Sequence, residues 1–188
     1  LSLINEVLDL SKIESGCIDL SMEELDLHEV VQECVNLTMP SADKRGIRIS
    51  YDISEGHCRV HADRTRLRQV LLNLLSNAVK YNEDGGSVNI HCERNGARYR
   101  VAVSDTGPGI PVSRHSELFE PFRRLGAENS DVEGNGIGLM ITQQLIQMMG
   151  GRIRCRNNPD KGSTFTIEIR AAEPAAESVE GASASQLA

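Results

Sequence analysis

Aromatic residues are scarce in this sequence, which contains no tryptophan, three Phe and three Tyr. Hydrophobic residues nevertheless make up 39% of its 188 positions, enough to bury a core in a chain the size of one domain plus an appendage. No apolar run approaches the roughly 18 residues needed to span a bilayer. The N-terminal stretch also lacks the basic region and cleavage site of a signal peptide. We therefore expect a cytoplasmic chain that makes no membrane contact of its own, whether its parent protein is membrane-anchored or soluble.

An excess of positive charge is also missing, because the formal net charge is −7. A nucleic-acid-binding domain normally carries a basic stripe, and nothing in the sequence offsets the acidic balance. We therefore expect no nucleic-acid partner.

Closely paired cysteines are absent as well, and no Cys-x-x-Cys motif occurs. The cysteines are Cys17, Cys34, Cys58, Cys92 and Cys155. Five scattered cysteines indicate reduced cytosolic thiols rather than a disulfide framework. A metal cluster could be drawn from His57-Cys58, His61 and His91-Cys92, but structural zinc sites favour ligand pairs two to four residues apart. Ordinary core and surface positions are the preferred interpretation.

Apolar periodicity predicts three helices within the domain, near 27–43, 64–81 and 137–149. The helix at 64–81 has Asp63 as its expected N-cap. Its predicted buried stripe consists of Leu67, Val70, Leu71, Leu74, Leu75 and Ala78. An apolar stripe over 1–14 indicates a further helix, which begins without a cap and needs a partner surface.

Strands are predicted near 46–53, 57–61, 87–95, 98–105, 151–157 and 163–170. The strands at 87–95 and 98–105 are expected to form a hairpin around Asn95-Gly96. A short extended piece is expected after Ser15-Gly16. Residues 106–135 are rich in Gly, Pro and charge, which indicates a functional or disordered loop, and the small polar residues of 171–188 indicate a disordered tail. The fold class that results is α+β: a two-layer sandwich in which three helices cover a mixed, mostly antiparallel sheet of about five strands.

The helix at 64–81 carries a polar row that helix propensity does not explain. Asn73, Asn77 and Lys80 follow at i, i+4 and i+7, and they lie at the margin of the apolar stripe. Asparagine is a mediocre helix former because its amide competes for the backbone. Such a row, on a helix that is otherwise buried, suggests one wall of a cleft.

Three glycine clusters lie far apart in the sequence, at 107–109, 134–138 and 162–164. Glycine permits close backbone approach to a ligand. The second cluster opens into a predicted helix, whose free N–H groups and dipole form an anion site, although a helix-start turn explains this cluster equally well. Asp105 ends a strand just before the first cluster; it is either a ligand acceptor or the cap of a turn.

These motifs, in this order, resemble the ATP-binding domain of bacterial sensor histidine kinases. The N box is Asn-x-x-x-Asn-Ala-x-Lys-Tyr, and it is followed by Asp-Thr-Gly-Pro-Gly-Ile, Leu-Phe-Glu-Pro-Phe-Arg-Arg, Gly-x-Gly-Ile-Gly-Leu and Gly-Ser-Thr-Phe. The resemblance covers residues 59 to 170 and implies the Bergerat ATP-binding fold. Residues 1–28 also resemble the segment that joins this domain to dimerisation helices. The expected division is therefore 1–16 as helix end and linker, 17–170 as catalytic domain with an ATP lid at about 111–135, and 171–188 as tail.

The resemblance implies a role for each matching residue. Asn77 would give its amide oxygen to Mg²⁺, Lys80 and Arg124 would contact phosphates, and Asp105 would accept the adenine amine. Tyr81 would pack on adenine or bond near the α-phosphate, while Thr164 would act through water. The complete implied nucleotide-binding set is Asn73, Asn77, Lys80, Tyr81, Asp105, Gly107, Gly109, Ile110, Gly134, Asn135, Gly136, Ile137, Gly138, Leu139 and Thr164.

Asn73 separates the candidate activities. Related ATPases carry glutamate at this position, where it serves as general base, whereas asparagine is neutral and cannot remove a proton. Histidine kinases need no such base, because the imidazole brings its own lone pair, so the implied catalytic residues are Asn73, Lys80 and Arg124. Two alternatives remain: a self-sufficient ATPase of the same GHKL superfamily, and a pseudokinase that serves as an interaction module.

The family's phosphoacceptor motif, a stretch like Ser-His-Glu-Leu-Arg-Thr-Pro, does not occur in the sequence. His28-Glu29 follows the linker, so we interpret it as an ordinary helix-start residue, and His115 in the lid is expected to be exposed. The chain should therefore bind ATP without phosphorylating itself. The implied partners are the dimerisation and phosphoacceptor helices of the parent kinase, a second protomer in a homodimer, and the receiver domain of a response regulator.

Overall fold

The computed structural model describes residues 8, 10–11, 13, 15, 19–53, 58–123 and 135–172. Leu8, Leu10, Ser11 and Ile13 are helical, which agrees with the helix predicted over 1–14 at those positions. The rest of that segment, the tail from 173 onward, Arg124 and Gly134 lie outside the described residues.

In the described ranges from residue 19 onward, seven strands and three α-helices follow in chain order. They are β1 (Met22–Asp26), α1 (Leu27–Asp43), β2 (Arg48–Asp52), β3 (Arg59–Asp63), α2 (Arg64–Lys80), β4 (Ser87–Asn95), β5 (Arg98–Asp105), α3 (Gly138–Met148), β6 (Arg152–Asn157) and β7 (Ser163–Arg170). A 3₁₀ helix, Val112–Glu117, lies between β5 and α3. The three predicted helices are confirmed, each ending within one residue of its expected bounds.

The main sheet has five strands in the order β2-β4-β5-β7-β6. Only β2 and β4 run parallel; the other neighbours are antiparallel. The predicted α+β class with a mostly antiparallel sheet is therefore confirmed. The predicted hairpin is confirmed with its expected strand bounds: Asn95 pairs with Arg98, and Gly96 in the turn takes the left-handed conformation with φ +61°.

A second, two-stranded sheet pairs β1 with β3. The extended piece expected after Gly16 is therefore a strand, and the strand expected near 57–61 belongs to this small sheet rather than to the main one. The two sheets meet at the end of β7, where Val60 pairs with Ala171.

Helices α1, α2 and α3 cover one face of the main sheet. All six residues of the predicted α2 stripe are buried, and Asp63 caps the helix by accepting a 3.0 Å hydrogen bond from the Arg66 amide. The opposite side of the core comes from alternate residues of β5, namely Tyr99, Val101 and Val103. Within the part of the chain that the structure describes, no helix is long and apolar enough to cross a membrane.

Candidate functional site

Asp105 is the most tightly held carboxylate of the predicted site. It ends β5 with 9% of its surface exposed. Oδ1 accepts hydrogen bonds from the Gly107 amide at 2.9 Å and the Ser163 amide at 3.3 Å, and Oδ2 accepts from the Ser163 hydroxyl at 2.7 Å. Because two carboxylate oxygens offer about four acceptor positions, Oδ2 can still accept a bond from a ligand N–H group.

Two glycines, Gly107 and Gly162, pack closely against the backbone and side chain of Asp105 and against Tyr81. A Cβ on Gly162 would lie 1.9 Å from the Asp105 carbonyl oxygen, and a Cβ on Gly107 would lie 2.6 Å from the Tyr81 carbonyl oxygen. Both contacts are to backbone atoms, which cannot move aside. These glycines therefore set how closely β5, α2 and the β6–β7 turn approach one another.

Thr164, next to Ser163 at the start of β7, is buried, with 2% of its surface exposed. Its hydroxyl is 2.8 Å from the Ser104 hydroxyl and donates to Asn158 Oδ1 at 2.6 Å. Asn158 in turn donates to the Asp105 carbonyl at 3.0 Å. The network fixes the start of β7 beside the end of β5.

The predicted polar row of α2 lies along one side of the site, and its three residues are half-buried. Asn73 Nδ2 donates to the Thr142 hydroxyl of α3 at 2.8 Å. Gly138 is packed against Asn73, since a Cβ there would lie 2.5 Å from Asn73 Oδ1. Lys80 ends the helix, with Nζ 5.2 Å from the centroid of the Tyr81 ring.

Arg45 holds the C-terminus of α2. Its guanidinium donates to the carbonyl oxygens of Val79 at 2.6 Å, Lys80 at 3.0 Å and Asn82 at 2.7 Å. The last carbonyls of a helix have no partners within it, so this side chain satisfies them and fixes the turn that carries Lys80 and Tyr81. Tyr81 itself remains 39% exposed.

Two contacts define the base of the predicted lid. The Asn157 side chain accepts from the Ile110 amide at 3.0 Å and donates to the Ile110 carbonyl at 2.7 Å. His115 Nε2 lies 3.1 Å from the same carbonyl and its ring is half-buried, so the expectation that His115 is exposed was wrong. Further along, the Phe122 amide donates to the Gly136 carbonyl at 3.0 Å.

Helix α3 begins beside Asn73. Ile137 is fully buried, Gly136 has φ +68°, and Gly138 and Leu139 are half-buried. Among the described residues, no side chain caps the first turn. The first amides of a helix lack intrahelical partners and carry the positive end of its dipole, so this turn can receive an anion.

Cys155 lies close enough to Asp105 for the carboxylate charge to affect the pKa of its thiol. Burial, followed by the negative charge of Asp105, raises the pKa of the Cys155 thiol to about 12. A thiol with this pKa stays protonated at neutral pH.

The structure links most of the predicted residues through a continuous series of contacts. Contacts run from Thr164 through Asp105 and Gly107 to Tyr81, then along α2 to Asn73 and Gly138. Arg124 and Gly134 lie outside the described residues, so their predicted roles remain predictions. The residues not predicted for this region are Arg45, Thr142, Asn157, Asn158 and Ser163; of these only Ser163 carried a signal, because it belongs to the Gly-Ser-Thr motif.

Comparison with known proteins agrees with this arrangement. Residues 62–173 match the family described as histidine kinase-, DNA gyrase B-, and HSP90-like ATPase. The chain is 40% identical over 173 residues to the circadian input-output histidine kinase CikA of Synechococcus elongatus, covering 90% of this chain and 23% of that protein. It spans about a quarter of the length of the curated relatives it matches.

Solved structures of histidine kinases also match this chain. Full-length ShkA in complex with AMPPNP superposes with a TM-score of 0.79 and 32% identity, covering 91% of this chain and 36% of that one. The histidine kinase ThkA in complex with the response regulator protein TrrA gives 0.71 and 28%, covering 91% of this chain and 48% of that one.

Proposed function

Because the chain belongs to the histidine kinase-, DNA gyrase B-, and HSP90-like ATPase family and matches named histidine kinases over most of its length, we propose that its cleft binds Mg·ATP for phosphoryl transfer to a histidine. The bound nucleotide would lie between the polar row of α2, Asp105 and the start of α3. The accepting imidazole would come from dimerisation helices outside this sequence.

Asp105 is the observation that carries the proposal. A buried carboxylate held by Gly107 and Ser163 keeps a fixed direction, and its remaining acceptor position suits the exocyclic amine of adenine. Gly107 and Gly109 would let the base approach, and Tyr81 would cover it. Ile110 would line the same pocket, whereas Thr164, which pairs with Ser104 on the outward side of β5, would act on it only through Asn158, which donates to the Asp105 carbonyl.

The phosphates would lie toward α3. The uncapped first turn at Ile137, Gly138 and Leu139 supplies backbone N–H groups, and Lys80 supplies a positive charge. Gly134, Asn135 and Gly136 precede that turn and would approach the same groups. Arg124 remains the predicted phosphate contact from the lid.

Asn77 fits the predicted magnesium ligand. Its side-chain amide is half-buried and makes no hydrogen bond to the described part of the chain. Mg²⁺ accepts single neutral oxygen ligands while it keeps waters and phosphate oxygens. Bound there, the ion would neutralise charge on the transferring group.

Asn73 supports kinase over ATPase chemistry. Its amide is neutral and is bonded to Thr142, so it cannot take a proton from water. In the proposed reaction the imidazole nitrogen forms a bond to the γ-phosphorus, the bond to the bridging oxygen breaks, and its electron pair leaves with ADP. Relay to an aspartate of a response regulator would follow, by analogy with kinases such as ThkA that bind a regulator.

The test is calorimetric titration of the chain with ATP in Mg²⁺. Asp105→Asn should weaken ATP binding about tenfold or more, since an amide cannot accept from the adenine amine in the same orientation. Asp52→Asn, an exposed aspartate on β2, is the matched control and should bind as the wild type does. Far-UV circular dichroism establishes that both variants fold.

Lys80→Gln gives a second measurement that does not depend on the Asp105 network. It should weaken ATP binding and leave adenosine binding unchanged, because only ATP carries phosphates. No wild-type binding at millimolar ATP, or an unchanged affinity in Asp105→Asn, would reject the site. Sustained phosphate release from the chain alone would favour the ATPase alternative.

A further inference from the structure

Arginine is concentrated on the face of the main sheet that the helices leave uncovered. Alternate residues of β5 point into the core, so their neighbours point outward. Strand pairing then places six outward arginines on three adjacent strands: Arg98 and Arg100 on β5, Arg170 on β7, and Arg152, Arg154 and Arg156 on β6. We call this set the arginine face.

One carboxylate, Glu168 of β7, lies within the arginine face. It is 3% exposed and accepts from Arg152 at 2.6 Å and Arg100 at 3.2 Å. Glu93, on the neighbouring β4, contacts Arg100 at 3.3 Å. Two carboxylates against six guanidinium groups leave an excess of positive charge here, although the whole chain carries −7.

Arg98 forms no ion pair within the described chain but donates to the Gly150 carbonyl at 2.6 Å. Three further arginines have neither an ion pair nor a hydrogen bond there: Arg154, Arg156 and Arg170. All three are exposed. Arg154 and Arg156 are two residues apart on one strand, which spaces their side chains about 7 Å apart. Arginine presents a planar fork that matches a carboxylate bidentately, which lysine cannot do.

A cleft of about 300 Å³ lies at the end of the arginine face where Arg98 and Arg170 pair. It gives the charged surface one partly apolar recess. Its lining consists of Met22, His61, Arg98, Met149, Gly150 and Arg170. An apolar recess surrounded by charged groups is typical of a protein interface.

We propose that the arginine face binds an acidic protein segment that presents carboxylates at alternate positions. The outward residues between the arginines include Ala102, Ser104 and Thr166, so the face has no aromatic side chain on which a nucleic-acid base could stack. The net negative charge of the chain also repels a polyanion at long range, whereas a short acidic segment meets mainly the local positive potential. This surface lies on the opposite side of the sheet from the helices, and the proposal does not depend on nucleotide binding.

The probe is a fluorescein-labelled peptide of alternating Glu and Thr, measured by anisotropy with the full chain at about 150 mM salt, where long-range attraction is screened. Saturable binding is expected, and a peptide with Gln in place of Glu should not bind. The double variant Arg154→Gln/Arg170→Gln should weaken binding about tenfold or more. Neither side chain has a hydrogen-bond or ion-pair partner in the described part of the fold, so the variant should remain folded.

The control is Arg48→Gln/Arg59→Gln, which removes the same charge from exposed arginines of β2 and β3. It should change the affinity for the acidic peptide less than about twofold. Equal weakening by both double variants, or no wild-type binding, would overturn the proposal. A preference for single-stranded oligothymidylate over the peptide would also overturn it, because the partner would then be a nucleic acid.

Discussion

The side-chain amide of Asn73 on α2 donates to the hydroxyl of Thr142 on α3 at 2.8 Å. Thr142 is buried, with 1% exposure, and Gly138 packs against the same amide. The residue that we propose distinguishes kinase from ATPase chemistry is therefore held by the helix whose first turn would face the phosphates.

Thr142→Val should test this connection. The substitution keeps the shape of the side chain but removes the acceptor, so the free energy of unfolding should fall by about 1 kcal/mol. Urea denaturation measures the change. Thr166→Val, on the outward face of β7, is the matched control and should change stability little. Equal losses in the two variants would show that the bond contributes nothing specific.

Arg45→Met should destabilise the C-terminus of α2. Three carbonyl oxygens lose a charged donor, for which we expect a loss of about 2 kcal/mol in the free energy of unfolding. ATP affinity should fall too, because Lys80 and Tyr81 belong to the turn that Arg45 fixes. Arg48→Met, a nearby exposed arginine, should leave both quantities unchanged, and an unchanged ATP affinity in Arg45→Met would contradict the positioning role.

Gly162→Ala should be far more damaging than Gly85→Ala. Both glycines have positive φ, +89° and +76°, so both substitutions cost about 1–2 kcal/mol of backbone strain. Only Gly162 adds a steric clash, since its Cβ would lie 1.9 Å from the Asp105 carbonyl oxygen, whereas nothing lies within 4 Å at Gly85. Denaturation curves should therefore separate the variants by several kcal/mol, and similar curves would refute the tight contact at Asp105.

Glu168→Gln should give a pH-dependent loss of stability. The hydrogen bond from Arg152, together with Arg100, lowers the pKa of Glu168 against the opposing effect of burial. A carboxyl whose pKa is lower in the folded state stabilises the protein above its unfolded pKa, and this contribution is lost as the pH falls through the folded pKa. The variant should lose about 1–3 kcal/mol at pH 7.

The difference between wild type and Glu168→Gln should shrink as the pH falls below the ordinary glutamate value of about 4.3. Urea denaturation at neutral and acidic pH measures it. A difference that stays constant with pH would mean that the charge of Glu168 contributes nothing to stability.

Local patterns predicted α2 closely, because its N-cap and its apolar stripe depend only on residues within the helix and directly before it. Asp63 caps the first turn, and the six residues of the apolar stripe, from Leu67 to Ala78 at helical spacing, face the core. The same holds for the hairpin of β4 and β5, where alternation and one glycine set the pairing. Interactions between neighbours in sequence can be inferred from the sequence alone.

Contacts between distant residues were not predictable in this way. Arg45 lies 34 residues before the Val79 carbonyl that it binds, and Asn157 lies 47 residues after Ile110. Neither residue type nor spacing marks such pairs. The error on His115 has the same origin, since a polar loop residue is expected in solvent unless the carbonyl it contacts is known.

The parallel pairing of β2 with β4 has a consequence for how the chain folds. Arg48 pairs with Ser87, and β3 and all of α2 lie between them in sequence. The chain must give up conformational entropy to close this span before the pairing contributes any stability. We therefore expect β2 to join the sheet after the rate-limiting barrier, so that substitutions in β2 accelerate unfolding and leave the refolding rate nearly unchanged.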